Sequence, residues 1–421
     1  MTERDLGALL QRASADLVEV DLVDDAWGGA LQERARRRRA VTGGVGAVAV
    51  AALAVAALQV TGGGNPHPVP SYSVTTPPTT GTLGDRTPYA VLPLEGVEGG
   101  LPLYEAGLPQ VVDAYGPSTR LSTLSTPPRD VVAVVLRRDG GGYRPVLVTA
   151  EGDQVVVDRL LLAPTRDRAG VTGAPLGPRA FGAGRWVVFP QPGKVVRLDV
   201  RDGSVTSYAV PSPYVDSAAW DAAAGKVLVR AGAQAWTLDT SSPGAPAVPA
   251  DASVPDGATA LEVAPGAPSL RVSRFDASSK APVGERFVTA PVTELWGPVV
   301  GSGRWVATGA FLDQDVTHPL IRRGNGPIYQ GIVAVRPGNG SAAVLAAPEN
   351  PDGQVGRVTR CCSVLGWADA HTALLQTVGA HGSWVLAWDV ESGRVMRVTR
   401  IAANPATQEV PRIALAVGSR S

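Results

Sequence analysis

Apolar and charged residues follow three different patterns along this chain, and each pattern predicts a different kind of structure. In residues 1–39 leucines recur at helical intervals, which predicts short amphipathic helices. Residues 40–60 contain no Asp, Glu, Lys, Arg or His. From residue 88 onward, short alternating segments of Val, Leu, Ala and Trp lie between Gly, Pro and Asp turns, a pattern typical of β-strands.

The uncharged run is long enough to cross a membrane as a single helix. Its 21 residues, Ala40–Val60, would rise roughly 30 Å, the thickness of the hydrocarbon core of a bilayer. A cleavable signal peptide is one alternative, but its apolar core is about 7–15 residues long and its leader is shorter. A buried helix of a soluble protein is a weaker alternative, because such a helix would need a polar face and this run has none. An arginine cluster precedes the run and marks its cytoplasmic side. The cluster consists of Arg34, Arg36, Arg37, Arg38 and Arg39.

These patterns, together with the composition of residues 61–87, divide the chain into four predicted parts. Residues 1–39 are a short, helical cytoplasmic segment, and residues 40–60 are an uncleaved single-pass transmembrane helix in the cell membrane. Residues 61–87 are rich in Pro, Thr and Gly and predict an extended linker. Residues 88–421 form an extracytoplasmic domain.

The cytoplasmic segment is acidic up to residue 33. Two interpretations stay open with equal weight. Residues 1–33 fold as a helix onto a protein partner with a basic, grooved surface. Alternatively, they are a solvated tail that leads into the membrane.

Internal repeats in the extracytoplasmic part predict an all-β fold, a β-propeller. GAGRWV at Gly182–Val187 recurs as GSGRWV at Gly301–Val306, 119 residues later, which is about three blades of roughly 40 residues. An apolar residue followed by Asp and a turn also recurs. It occurs at Leu198-Asp199, Leu238-Asp239, Phe275-Asp276 and Trp388-Asp389.

The fuller hairpins, LDVRDGSV and WDVESGRV, resemble those of WD40-like and related bacterial β-propellers. Six such units can be traced between about residues 130 and 400. We expect strands at both ends of the domain, including Ile413–Val417 and part of Pro88–Leu121, to form a seventh blade that closes the ring. Six or eight blades, or stacked β-sandwiches, are the alternatives.

Composition and motifs narrow the function. The formal net charge of zero argues against a nucleic-acid partner. The sequence contains no G-x-S-x-G, H-E-x-x-H or Walker-type phosphate loop, and no zinc-ligand spacing, so we predict neither catalytic residues nor a cofactor. Eight tryptophans, from Trp186 to Trp388, recur with the blades. Core packing is the favoured interpretation, and a sugar-binding platform is the alternative.

Two polar features are candidate sites. In the longest insertion, Asp313, Asp315, His318 and Arg322 predict a ligand loop, and Asp-x-Asp followed by His could bind a cation. A solvated loop without a metal is the favoured alternative. The only cysteines, Cys361 and Cys362, are adjacent.

Outside the membrane a cysteine pair tends to oxidise, yet neighbouring Cα atoms are about 3.8 Å apart, below the usual disulfide range. A vicinal disulfide, redox-sensitive or serving as a ligand platform, and two packed thiols stay equally open. Intermolecular bridging is a third interpretation.

The layout resembles actinobacterial membrane proteins that are paired with extracytoplasmic-function sigma factors, including anti-sigma-like regulators. The resemblance lies in the arrangement of the parts and in the arginine-rich junction. It implies a non-enzymatic propeller that binds an external ligand or envelope partner and signals to a cytoplasmic regulator such as a sigma factor. The cytoplasmic part is shorter than a typical anti-sigma domain, and it lacks the histidine–cysteine zinc motif of one family of these regulators. An envelope hydrolase or lyase and a structural envelope scaffold are the alternatives.

Overall fold

A computed structural model gives the fold of the predicted propeller domain. None of the helices in the described residues has the length and apolar character needed to span a bilayer. The predicted cytoplasmic segment and the predicted span both lie outside the described residues. The structure describes residues 80–416 except 84–86, 94, 168–169, 183, 222–224, 243, 251–257, 266–267, 277–278, 313–328, 348–360 and 380–381.

The described chain is all β apart from two single-turn 3₁₀ helices, Glu98–Gly100 and Leu121–Thr123. Four strands precede the first repeat, and β1 falls within the stretch predicted as linker. These strands are β1 (Thr80–Leu83), β2 (Thr87–Val91), β3 (Val111–Val112) and β4 (Thr119–Arg120).

The repeats form six antiparallel sheets in the described residues, and we number these blades in chain order. Blade 1 contains β5 (Val131–Asp139), β6 (Gly142–Thr149) and β7 (Gln154–Val156), followed by a small hairpin of β8 (Thr165–Arg166) and β9 (Thr172–Gly173). Blade 2 contains β10 (Phe181–Gly182), β11 (Trp186–Gln191), β12 (Lys194–Asp199) and β13 (Val205–Ala209). Blade 3 contains β14 (Ser217–Asp221), β15 (Lys226–Ala231), β16 (Gln234–Leu238) and β17 (Val248–Ala250).

The second half of the ring continues in the same way. Blade 4 contains β18 (Thr259–Val263), β19 (Ser269–Phe275) and β20 (Pro282–Thr289). Blade 5 contains β21 (Val292–Gly301), β22 (Val306–Leu312), β23 (Tyr329–Arg336) and β24 (Ser341–Ala347). Blade 6 contains β25 (Cys362–Trp367), β26 (Thr372–Gly379), β27 (Gly382–Asp389) and β28 (Val395–Ile401), and the last strand is β29 (Ile413–Leu415).

The fold is therefore a six-bladed β-propeller, and the prediction of a seventh blade is wrong. The terminal strands join existing blades instead of pairing with each other. Strand β29 is antiparallel to β5 and becomes the innermost strand of blade 1. Strands β2, β3 and β4 add in parallel to the outer edges of blades 5, 6 and 1. The two-residue strands β3 and β4 are too short to build a blade of their own.

The recurring Asp turns form because the carboxylate accepts backbone N–H groups within the turn. Oδ1 of Asp199 accepts the N–H of Arg201, and Oδ1 of Asp389 accepts the N–H of Ser392. Four residues after each Asp, Gly203 (φ 72°) and Gly393 (φ 75°) take the left-handed conformation, which glycine adopts without steric cost. Both copies of the G-x-G-R-W-V repeat form the turn between the first and second strands of a blade. They belong to blades 2 and 5, three blades apart as their spacing predicts.

Blade 4 has three described strands, which correspond to the second, third and fourth strands of the other blades. The turn after Asp276 joins β19 to β20, and the same type of turn joins the third and fourth strands of blades 2, 3 and 6. In that turn Nζ of Lys280 lies 2.5 Å from Oδ2 of Asp221 in the β14–β15 turn of blade 3, so both turns lie on one face of the ring. Among the described residues, β18 is thus the innermost strand of blade 4.

Apolar side chains pack between blades in four clusters. One cluster joins blades 1, 2 and 3, and the others join blades 4 and 5, blades 5 and 6, and blades 6 and 1. Within the described part of the chain, no cluster joins blade 3 to blade 4. The contact between these two blades, which we call the seam, differs from the other five.

Candidate functional site

A cavity of about 510 Å³ lies at the seam. Its walls come from four consecutive blades and include the segment before β10, strands β14, β15 and β18, and the middle of β21. These strands include the innermost ones of blades 3, 4 and 5, so the cavity lies toward the centre of the ring. The lining residues are Gly177–Arg179, Ser217–Ala219, Arg230, Ala260–Glu262 and Gly297–Val299.

Blade 4 turns an exposed face toward the seam. On β20, Val288 is 2 % exposed and packs against blade 5, whereas its neighbour Phe287 is 63 % exposed. Alternate residues of a strand point to opposite faces of the sheet, so Phe287 lies on the side away from blade 5. Cross-strand pairing places Arg271 opposite Phe287 and Glu262 opposite Arg271, which puts all three on this face.

The backbone of β21 contributes to the cavity because it departs from regular pairing. Between Trp296 and Val300 its register with β22 shifts, and Gly297 in this irregularity has a φ of 72°. A bulge with glycine in the left-handed conformation bends a strand and changes the direction of the neighbouring residues. Pro298 and Val299, which follow Gly297, line the cavity.

The cavity wall is largely apolar, with charged groups at separate points. Nη2 of the half-buried Arg179 donates a hydrogen bond to the backbone O of Trp220 at 2.7 Å, which holds the guanidinium beside β14. Arg230 lies on β15 directly opposite Ser217 of β14. Both residues of this pair therefore share one face of blade 3, and both line the cavity.

Glu262 is the acidic residue among those that line the cavity, and its charge is compensated. It pairs with Arg271 on the neighbouring strand, and the hydrogen bond from Arg271 to Glu262, together with their charge attraction, raises the pKa of the Arg271 guanidinium. Arg179 forms no ion pair with a carboxylate in the described residues. Among the described residues, the cavity therefore offers the guanidinium of Arg179 to a ligand, while its acid, Glu262, is engaged by Arg271.

The described residues contain no group of three or more His, Cys, Asp or Glu side chains that could hold a metal ion. The ligand loop predicted from Asp313, Asp315, His318 and Arg322 lies outside the described residues. The arginine cluster at 34 and 36–39 lies outside them as well. Neither prediction is tested by the structure.

The adjacent cysteines lie in blade 6, at the start of β25, and do not line the cavity. A disulfide joins Cys361 and Cys362, with an Sγ–Sγ distance of 2.04 Å. They are 1 % and 0 % exposed and belong to the cluster between blades 5 and 6. The N–H of Cys361 donates to Oε1 of the buried Gln330 at 3.2 Å, which ties this strand to blade 5.

The tryptophans pack mainly in the core. Trp220, Trp236, Trp305, Trp367 and Trp388 are buried, and each belongs to a cluster between blades. The indole N–H of Trp367 donates to the backbone O of Val300 in blade 5 at 2.9 Å. This agrees with the core interpretation rather than with a sugar-binding platform.

Arg179, Arg230 and Ser217 could not be identified from the sequence. They lie in two different blades, and no motif joins them. Among the described residues blade 4 has three strands, one fewer than blade 3, and no motif in the sequence marks this difference.

Comparisons with known proteins add little about function. No protein-family model matches the chain, and no curated protein matches it. Several solved structures are similar in part. Kuenenia stuttgartiensis hydrazine synthase is 15 % identical, with a TM-score of 0.36 over 64 % of this chain and 80 % of that one. TolB from Acinetobacter baumannii is 14 % identical, with a TM-score of 0.31 over 68 % and 74 %. Apo AztD from Citrobacter koseri is 14 % identical, with a TM-score of 0.30 over 68 % and 95 %.

Proposed function

We propose that this chain is a non-enzymatic binding protein anchored in the cell membrane by residues 40–60. Its six-bladed propeller lies on the extracytoplasmic side and binds a ligand or an envelope partner in the cavity at the seam. Residues 1–33 contact a cytoplasmic regulator, such as a sigma factor, so that binding outside is reported inside.

The observation that carries the binding proposal is the seam itself. Five of the six contacts between neighbouring blades contain apolar clusters of described residues, and the seam contains none. Instead it has a cavity of about 510 Å³ within a rigid scaffold, a volume in the range of small-molecule sites. Binding residues often lie on irregular segments that a rigid scaffold holds in place, and the other blades supply such a scaffold for the seam.

The sequence supports the anchoring, its orientation and a cytoplasmic partner for residues 1–33. The uncharged run of 21 residues follows an arginine cluster, which favours a cytoplasmic N-terminus. The acidic residues of the first 33 positions would complement a basic partner surface.

Photocrosslinking in cells tests whether the cavity is the binding site. We would place p-benzoylphenylalanine at position 262, on the cavity wall, and at the exposed position 205 of blade 2 as a matched control. We expect an adduct at position 262 that is absent at position 205. Identical adducts at both positions would contradict the proposal. So would the absence of an adduct at position 262 in a variant that unfolds at the same temperature as wild type.

Co-purification tests signalling. Full-length protein and a version lacking residues 2–33 would be isolated from crosslinked membranes, and their partners identified by mass spectrometry. A cytoplasmic regulator that is lost with the deletion supports transmembrane signalling. If both samples contain the same external partners, residues 1–33 are only a tail of the anchor and do not signal.

A further inference from the structure

We propose that the cavity ligand is a small molecule that carries a carboxylate, and that the guanidinium of Arg179 binds this carboxylate. The inference rests on the proposed function, because it names the class of ligand for the same cavity. Arg230 and Ser217, which are cross-strand partners on the blade 3 wall of the cavity, supply further donors to the ligand.

The charges of the wall favour an anion. Arg179 is held beside β14 by its hydrogen bond to the backbone O of Trp220 (2.7 Å). A guanidinium has five N–H donors, so this bond leaves other donors for a ligand. It has no carboxylate partner among the described residues, whereas Glu262 already has Arg271. A carboxylate entering the cavity would therefore meet a positive group and a neutralised acid.

Preorganisation strengthens this argument. A guanidinium matches a carboxylate with two parallel hydrogen bonds, and such bonds are stronger in a half-buried place than in water. Because Arg179 is already fixed to the backbone of β14, little side-chain freedom is lost when the carboxylate binds.

The rest of the cavity indicates the size and polarity of the ligand. A volume of about 510 Å³ accommodates a small molecule, and several wall residues are glycine or alanine, which leave that space open. Leu261, Pro298 and Val299 provide an apolar surface for the body of the ligand. On the polar side, Ser217 is half-buried beside Arg230 and can donate its hydroxyl.

The test compares carboxylates with neutral molecules of the same shape. Full-length protein in detergent would be titrated by calorimetry and thermal unfolding with succinate and succinamide, benzoate and benzamide, and glucuronate and glucose, at constant ionic strength. We expect at least one carboxylate, and not its neutral counterpart, to raise the unfolding midpoint by about 2 °C or more at saturation.

Variants locate the effect. Arg179→Gln should weaken binding of that carboxylate at least about tenfold, since a hydrogen bond to a charged group is lost, and Arg230→Gln should weaken it less. Arg166→Gln changes an exposed arginine of the β8–β9 hairpin outside the cavity and should leave binding unchanged.

Each of three outcomes would overturn the proposal. No carboxylate exceeds its neutral counterpart; Arg179→Gln binds as wild type does; or Arg166→Gln weakens binding as much as Arg179→Gln. An adduct at position 262 in cells together with no preference for carboxylates would keep the binding site and reject this ligand class. Failure of both experiments would reject the cavity as a binding site.

Discussion

At the scale of single residues, Lys280 occupies a position where blades 2 and 6 have glycine. Gly203 and Gly393 follow their turn aspartates by four residues, and Lys280 follows Asp276 by four. All three N–H groups donate to the carbonyl of that Asp, and Lys280 has a φ of 58°. A left-handed conformation costs a non-glycine residue about 1–2 kcal/mol. The compensation is its ion pair with Asp221, which links blade 4 to blade 3 across the seam.

Replacing Lys280 by glycine separates these two effects. Lys280→Gly relieves the backbone cost but leaves the buried Asp221 without this partner, a loss of about 3–5 kcal/mol when one member of a buried pair is removed. We therefore expect Lys280→Gly to lower the free energy of unfolding by about 1–4 kcal/mol in urea titrations. In an Asp221→Asn background the same change should be neutral or stabilising. A stabilising Lys280→Gly in the wild-type background would show that the ion pair contributes little.

The adjacent cysteines give a second prediction at this scale. Cys361 and Cys362 are almost fully buried, so iodoacetamide should not label them in the native protein, with or without reductant. In the unfolded protein without reductant we expect no label because the disulfide is intact, and with reductant we expect two. Intact-mass measurements count the labels in native and unfolded protein, each with and without reductant. Two labels in the unfolded, unreduced sample would mean packed thiols, and a dimer on a non-reducing gel would mean intermolecular bridging.

At the scale of the element, the third-to-fourth-strand turns share a carboxylate that accepts backbone N–H groups of the turn. Oδ1 of Asp389 accepts the N–H groups of Glu391 and Ser392, both at 3.0 Å. Burial acts to raise the pKa of Asp389, but these hydrogen bonds outweigh it, so the pKa lies below the ordinary value of 3.8. Hydrogen bonds from Ser241 likewise lower the pKa of the exposed Asp239.

These shifts determine the sign of the pH dependence. A carboxylate whose pKa is depressed in the folded state stabilises it fully above the unfolded pKa, and this stabilisation disappears as the pH falls through the folded pKa. We expect the urea concentration at the midpoint of unfolding to stay constant as the pH falls to about 4 and then to decrease toward about pH 2. Asp389→Asn should keep the turn at neutral pH and make the decrease shallower. A matched change at Glu105, outside these turns, should leave the slope unchanged; equal slopes for wild type and Asp389→Asn would contradict the assignment.

At the scale of the whole molecule, the sequence predicted the propeller because its blades are marked locally. An Asp turn takes about five residues, and its pattern survives in four of the six blades. The number of blades could not be predicted in the same way. Strands of two or three residues, such as β3, β4 and β29, carry no periodicity, and their partners lie far away in sequence.

The cavity could not be predicted from the sequence for a related reason. Arg179 and Glu262 lie in blades 2 and 4, and only closure of the ring brings them to one cavity. The hairpin centred on Asp276 was recognised from its pattern, but the pattern did not reveal that the described part of blade 4 has one strand fewer than its neighbours. A repeat identifies what blades have in common, whereas this site depends on where one blade differs.

Closure of the ring rests on three residues at the end of the described chain. Strand β29 pairs with β5, placing Ile413 opposite Val135 and Leu415 opposite Ala133, and both terminal side chains are buried in the cluster between blades 6 and 1. Without β29, the inner edge of β5 would lose its hydrogen-bonding partner. The last strand therefore joins the C-terminal end of the domain to its first blade.

Truncation tests this closure. A chain ending at Arg412 loses β29, and removing a buried Ile or Leu typically costs about 2–5 kcal/mol, so two such losses approach the whole stability of a typical domain. We expect this variant to aggregate or to unfold at a much lower urea concentration, monitored by tryptophan fluorescence. A chain ending at Ala416 keeps β29 and is the matched control, which should unfold like wild type. If both truncations unfolded together, closure would not depend on β29, and the ring would be stabilised chiefly by the clusters between the other blades.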